Sequence, residues 1–208
     1  MKLYLSSYKL GDQAHVMREW AQTHKCNKIA LIINAGDAYN VTAEERAAKR
    51  RRQQELLATV GFSAVIFDLR DYFGKPKELE KALAGFRAFF VVGGNTFVLR
   101  QAMKLSGFDK YLLSLKGKTE YFYGGWSAGI CVLAQTLRGI DLVDDPKVNL
   151  YGIDTIWDGL GILEYTPVPH FQSDHPESAG ATKTAAYMKK HEITHMTLRD
   201  GDVIVADY

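Results

Sequence analysis

Tyr121-Phe122-Tyr123-Gly124-Gly125-Trp126-Ser127-Ala128-Gly129-Ile130-Cys131 is the stretch on which the fold turns. Aromatic residues of strand-forming type run into a pair of glycines, and a helical run toward Leu137 follows. Strand, tight turn and helix in that order are the repeating unit of an α/β sheet. Gly125-x-Ser127-x-Gly129 sits on the turn. In such an elbow the central residue takes strained backbone angles, and its neighbours two positions away crowd it unless they lack a Cβ. The turn exposes the Ser127 hydroxyl at the carboxyl edge of the sheet, where open α/β folds place their sites. The start of the helix adds partial positive charge there. A serine on a glycine-rich turn is also an ordinary helix cap, so chemistry at Ser127 requires a base and an oxyanion site.

Outward from this elbow, apolar strand-like runs alternate with helical patterns. Leu3 to Ser7, Lys28 to Asn34, Ala64 to Leu69, Ala88 to Val92 and Glu120 to Tyr123 read as strands. Several are apolar on both faces, as a strand inside a parallel sheet must be. Asp12 to His24 is an amphipathic helix with Val16, Met17 and Trp20 on one face. Thr42 to Val60 is a longer helix opening on a capping box, Thr42-Ala43-Glu44-Glu45. Lys77 to Ala84, Thr96 to Leu105, Phe108 to Leu115 and Glu177 to Lys190 are also helical. The pattern predicts a three-layer α/β/α sandwich with a mostly parallel central sheet, in one domain spanning 1–208. Asp141 to Leu163 has little periodicity and is expected to run over the surface. Thr194 to Ala206 reads as a hairpin around Asp200-Gly201-Asp202.

Composition narrows the function classes. Of 208 residues 47% are hydrophobic, enough for one sizeable core. Lys and Arg number 26 against 24 Asp and Glu, a net charge of +2, which gives no reason to expect a nucleic-acid partner. The run Lys49-Arg50-Arg51-Arg52 spreads around a helix beside Glu44, Glu45 and Glu55 and reads as a solvated face. Cys26 and Cys131 have neither disulfide-framework nor metal-ligand spacing, and Cys131 is assigned to packing. No signal-peptide pattern or membrane-length apolar run is present, so no membrane partner and a cytoplasmic location are expected.

A second glycine turn, Val92-Gly93-Gly94-Asn95-Thr96, closes another strand at the same sheet edge. Its amides and that of Ala128 could supply the two donors an oxyanion hole needs. The spacing fits neither a phosphate-binding P-loop nor a dinucleotide fingerprint. Asn34-Ala35-Gly36-Asp37 ends a strand on that edge and either lines the cleft or simply turns the chain. Among the six histidines, His170 in Pro167-Val168-Pro169-His170-Phe171 is carried on a proline-stiffened loop and is the first candidate base, with His175 in reserve.

These pieces together resemble the peptidase E family of serine peptidases, which includes aspartyl dipeptidases and, more distantly, cyanophycinases. The resemblance rests on Val92-Gly93-Gly94-Asn95-Thr96, Gly125-Trp126-Ser127-Ala128-Gly129, Pro169-His170-Phe171 and Leu198-Arg199-Asp200-Gly201-Asp202, in that order over most of the chain. It implies a fold like that of class I glutamine amidotransferases, with Ser127 as nucleophile, His170 as base, and Gly94 and Ala128 in the oxyanion hole. Asp200, aligned with a family glutamate, is the favoured orienting acid, and Asp141 is the alternative. Asn95, Trp126 and Lys183 are the implied substrate contacts; Lys183 stands near the place of an arginine that binds the acidic side chain in aspartyl dipeptidases. A short peptide, with N-terminal aspartate as one option, is the implied substrate, with no cofactor and no metal. A non-catalytic ligand-binding relative and an esterase or amidase are the other readings.

Overall fold

Successive side chains along each central strand enter opposite layers, because β-carbons alternate across a pleated sheet. The computed structural model describes residues 1–208. In chain order its elements are β1 (Lys2–Ser6), α1 (Ala14–Thr23), β2 (Lys28–Ile32), α2 (Ala43–Ala58), β3 (Ser63–Phe67), α3 (Pro76–Leu83), β4 (Ala88–Val91), α4 (Thr96–Ser106), α5 (Phe108–Leu113), β5 (Phe122–Trp126), α6 (Ala128–Cys131), β6 (Thr166–Val168), α7 (Ser178–Lys190), β7 (His195–Thr197) and β8 (Val203–Asp207). Six strands form the main sheet in the order β3-β2-β4-β5-β1-β8. Only β8 is antiparallel to its neighbour, β1.

Leu3, Leu5, Ala30, Ile32, Phe89 and Val91 point into one layer, together with apolar residues of α3, α4, α5 and α6. Tyr4, Ile29, Leu31 and Phe90 point into the other, against Met17 and Trp20 of α1 and Leu57 of α2. This is the α/β three-layer arrangement that the two-sided apolar strands predict. The capping box forms as expected: Thr42 Oγ1 accepts from the Glu45 amide at 3.1 Å, and Glu45 Oε2 accepts from the Thr42 amide at 2.9 Å. No helix is long and apolar enough to cross a membrane.

Three expectations are corrected. The Thr194–Ala206 hairpin does not form, because β7 pairs in parallel with β6 in a separate small sheet while β8 joins β1. The turn between them is drawn to the end of β1: the Ser7 amide donates to Asp202 O at 3.0 Å and the Asp12 amide to Gly201 O at 2.8 Å. The elbow helix is also shorter than the run to Leu137, since α6 ends at Cys131. Carbonyls beyond it bond another segment instead: Leu160 N donates to Val132 O at 2.9 Å and Leu163 N to Leu133 O at 3.0 Å. The same bonds draw the end of the Asp141–Leu163 stretch inward, and Leu160, Ile162 and Leu163 are buried rather than on the surface. Strand β5 carries glycine at 124, where a Cβ would lie 2.6 Å from the Phe90 ring of β4.

Candidate active site

Ser127 lies where β5 meets α6, at φ +49° and ψ −118°, a conformation that costs a non-glycine residue about 1–3 kcal/mol. Its neighbours hold it there. A Cβ on Gly129 would sit 2.2 Å from Val91 O of β4, so only glycine lets the elbow close this tightly against the sheet. The Gly93-Gly94 turn after β4 abuts the same point: a Cβ on Gly93 would be 3.0 Å from Ser127 Cβ. Gly94 has φ +147° and presses on Ala35, whose carbonyl carbon and oxygen would lie 2.4 Å from any Cβ. Asn34-Ala35-Gly36-Asp37 thus backs the glycine turn. The half-exposed Gly94 amide has no protein acceptor.

His170 and Asp200 are delivered by neighbouring strands. Beyond the β6·β7 pair, Leu198 N donates to Val168 O and Phe171 N to Leu198 O, each at 2.9 Å, so residues 168–171 and 198–200 run side by side. His170 Nδ1 lies 2.7 Å from Asp200 Oδ1. With Asp200 accepting from Nδ1–H, the free lone pair is on Nε2. His170 is itself strained, at φ +63°. The end of β1 clamps both residues: Ser7 Oγ accepts from the His170 amide at 2.9 Å and donates to Asp200 Oδ1 at 3.0 Å. Ser173 Oγ accepts from the Asp200 amide at 2.8 Å. A small apolar cluster of Phe97, Cys131, Val168, Ala181 and Met188 supports this arm from beneath.

Ser127 and His170 line one cavity of about 20 Å³, the size of a water molecule, with Thr96, Asp144, Glu177 and Thr184 as its other polar walls. No hydrogen bond joins Ser127 to His170 directly. Burial lowers the pKa of His170; the Asp200 bond opposes this, and neighbouring His175, stacked on it with ring centroids 3.7 Å apart, adds to it. His170 is therefore held neutral with Nε2 able to accept a proton. Burial raises Glu177, helped by the charge of Asp200, and raises buried Asp144 to about 6 although Thr96 pulls the other way. Asp144 Oδ2 accepts from the Thr96 amide at 2.8 Å. Burial also pushes the Cys131 thiol well up, which agrees with a packing role.

The remaining candidates lie elsewhere. Asp141 is exposed and accepts from the Gly139 amide at 2.8 Å, so it caps its own turn instead of meeting His170. Lys183 is on the exposed face of α7, while Glu177, Ala181 and Thr184 are the residues from this region that reach the cavity. The helix phase decides this, because position 183 faces away from the buried stripe Ala181-Thr184-Ala185-Met188. Asn95 is a helix cap: its Oδ1 accepts from Phe97 N at 2.9 Å and Val98 N at 3.0 Å, and its Nδ2 donates to Asp145 O at 2.9 Å. Trp126 packs edge-on against Phe90 and borders a separate groove with Tyr8, Lys9, Lys49 and Arg52. Ser7, Asp144 and Glu177 are absent from the sequence-based set. The only available signal was for Ser7, which ends a strand at the carboxyl edge.

The chain is similar to several known proteins. A 35% identical stretch of 88 residues matches the uncharacterized peptidase Lmo0363 of Listeria monocytogenes, over 40% of each chain. A 31% identical stretch of 123 residues matches the uncharacterized peptidase Lin0382 of Listeria innocua, over 55% of this chain and 56% of that one. The matches thus span about half or less of these relatives' length. The fold as a whole is similar to that of a Listeria monocytogenes EGD-e protein described as a peptidase E, with a TM-score of 0.75 at 21% identity, covering 100% and 98% of the two chains. A peptidase from an acI-B1 actinobacterium is similar with a TM-score of 0.64 at 14% identity, covering 99% of this chain and 83% of the other. Peptidase family S51 matches residues 14–207, so nearly the whole chain, elbow and His170 arm included, is accounted for by one family. The chain belongs to peptidase family S51.

Proposed function

We propose that the chain hydrolyses short peptides through an acyl-enzyme on Ser127. One observation carries the reading: Ser127 and His170 border the same small cavity, and the far nitrogen of His170 is bonded to Asp200 at 2.7 Å. His170 Nε2 takes the Ser127 proton as Oγ attacks the scissile carbonyl, then returns it to the leaving amine. A positioned base of this kind contributes about 10²–10⁴-fold. Asp200 holds the tautomer and stabilises the imidazolium as it forms. The Gly94 and Ala128 amides receive the oxyanion, and each such donor is worth roughly 3 kcal/mol in the transition state. Water then releases the acyl group by the same route. The absence of a direct Ser127–His170 hydrogen bond is compatible with this mechanism, since catalytic contacts often tighten only when substrate is present.

The cavity beside Ser127 carries two carboxylates, Asp144 and Glu177, and no lysine or arginine. A fluorophosphonate probe is expected to add one label per chain, on Ser127 by peptide mass mapping. Ser127→Ala should take up no label and lose at least about 10⁴-fold in kcat on a dipeptide panel. Undiminished labelling of the alanine variant would sink the assignment.

A further inference from the structure

Three atoms of metal-ligating type face one another between the His170 loop and the start of α7. Glu177 Oε2 lies 3.6 Å from His170 Nε2 and 4.0 Å from His175 Nδ1. All three atoms fall within 4.8 Å of one another. Ligand atoms around a tetrahedral ion with bonds of about 2.0–2.1 Å are separated by about 3.4 Å, so no pair of the set has to close by more than about 1.4 Å. Two imidazoles and one carboxylate suit a borderline dication such as Zn²⁺, whereas Mg²⁺ and Ca²⁺ favour all-oxygen sites. An outer shell is already in place. Asp200 accepts from His170 Nδ1–H at 2.7 Å, which aims the Nε2 lone pair and raises its basicity, as a partner of a metal-bound histidine does.

One rearrangement is required. The two imidazoles stack with 9° between their planes, and in-plane lone pairs converge only when ring planes intersect. His175 therefore has to turn about its side-chain bonds, giving up the 3.2 Å bond it accepts from the Glu177 amide. It retains 18% side-chain exposure, unlike His170 at 2%, so the movable ring is the outer one.

We propose that His170 Nε2, His175 Nδ1 and Glu177 Oε2 form a site for Zn²⁺ or a similar d-block dication, and that its occupancy switches hydrolysis off. The ion takes the lone pair that would otherwise accept the Ser127 proton. The inhibitory half rests on the proposed hydrolytic reading, and the binding half does not. Ser127→Ala keeps all three ligands and separates the two. Titrated with Co²⁺, it should bind one ion per chain with the visible ligand-field absorption of a four-coordinate site, and Zn²⁺ should displace it. Adding His175→Ala or Glu177→Gln, each verified as folded by circular dichroism, should weaken Co²⁺ binding at least tenfold. Adding His191→Ala, beyond the far end of α7, should leave it unchanged. In the wild-type chain the same Zn²⁺ concentrations should suppress peptide turnover, and a chelator should restore it. No Co²⁺ binding at millimolar concentration, or binding indifferent to both ligand substitutions, overturns the site. Stoichiometric Zn²⁺ binding with full turnover overturns the switch.

Discussion

Which acid partners His170 depends on the backbone that lies beside residue 170, and Asp200 is there because residues 198–200 run alongside 168–171. Asparagine at 200 would keep the shape but lose the charge, and its amide can hold the imidazole in the wrong tautomer. Asp200→Asn is expected to lower kcat by about 10⁴-fold with little change in KM. Asp141→Asn should leave kcat within about a factor of two, because its side chain serves only the Gly139 turn. Steady-state kinetics on one dipeptide compares them. At this scale the sequence is informative where chemistry and backbone strain coincide. Ser127 lies between glycines that the elbow needs, and His170 follows two prolines. It is nearly silent where a residue acts through a contact across the fold: the place of Ser7 at a strand end is the only local sign of it, and its hydroxyl reaches residues more than 160 positions away.

The elbow depends on how closely β5 and α6 approach β4. Gly129→Ala would place a methyl group 2.2 Å from Val91 O, a backbone atom at the end of the interior strand β4 that cannot step aside. Overpacking of this kind costs typically 1–3 kcal/mol and here should reach about 3 kcal/mol or more, read as a fall in the urea midpoint. Strands β1, β2 and β4 were legible because both faces are buried and their apolar runs are unbroken. The Thr194–Ala206 hairpin was misread because two apolar runs around Asp200-Gly201-Asp202 look alike whether they pair with each other or with separate sheets. Register is chosen by the partner edge, and β1 offered an open one. The elbow helix was overestimated for a related reason. Helical propensity continues past Cys131, but carbonyls 132–134 are claimed by the 160–163 segment.

For the molecule as a whole, the carboxylates around the cavity are a stability cost that depends on pH. Asp144 has a folded-state pKa of about 6, above the ordinary 3.8, because burial disfavours its charge. Its folded form holds a proton more tightly than the unfolded chain does. The stability this contributes is complete below about pH 4 and is lost as pH rises through about 6. Asp144→Asn should match the wild type near pH 4 and exceed it by about 2–3 kcal/mol at pH 8, measured by urea unfolding across that range. The segment containing Asp144 was expected on the surface, and its burial follows from contacts that no local pattern encodes. The left-handed backbone angles of Ser127 and His170 bear on the history of such a fold. Both residues are kept in conformations that glycine would tolerate easily, so at Ser127 the proposed catalytic role and robustness pull in opposite directions. A lineage released from the need to hydrolyse anything would drift toward glycine at 127 and become harder to melt as it became inert, whereas glycine at 170 would leave a cavity and an unpaired Asp200.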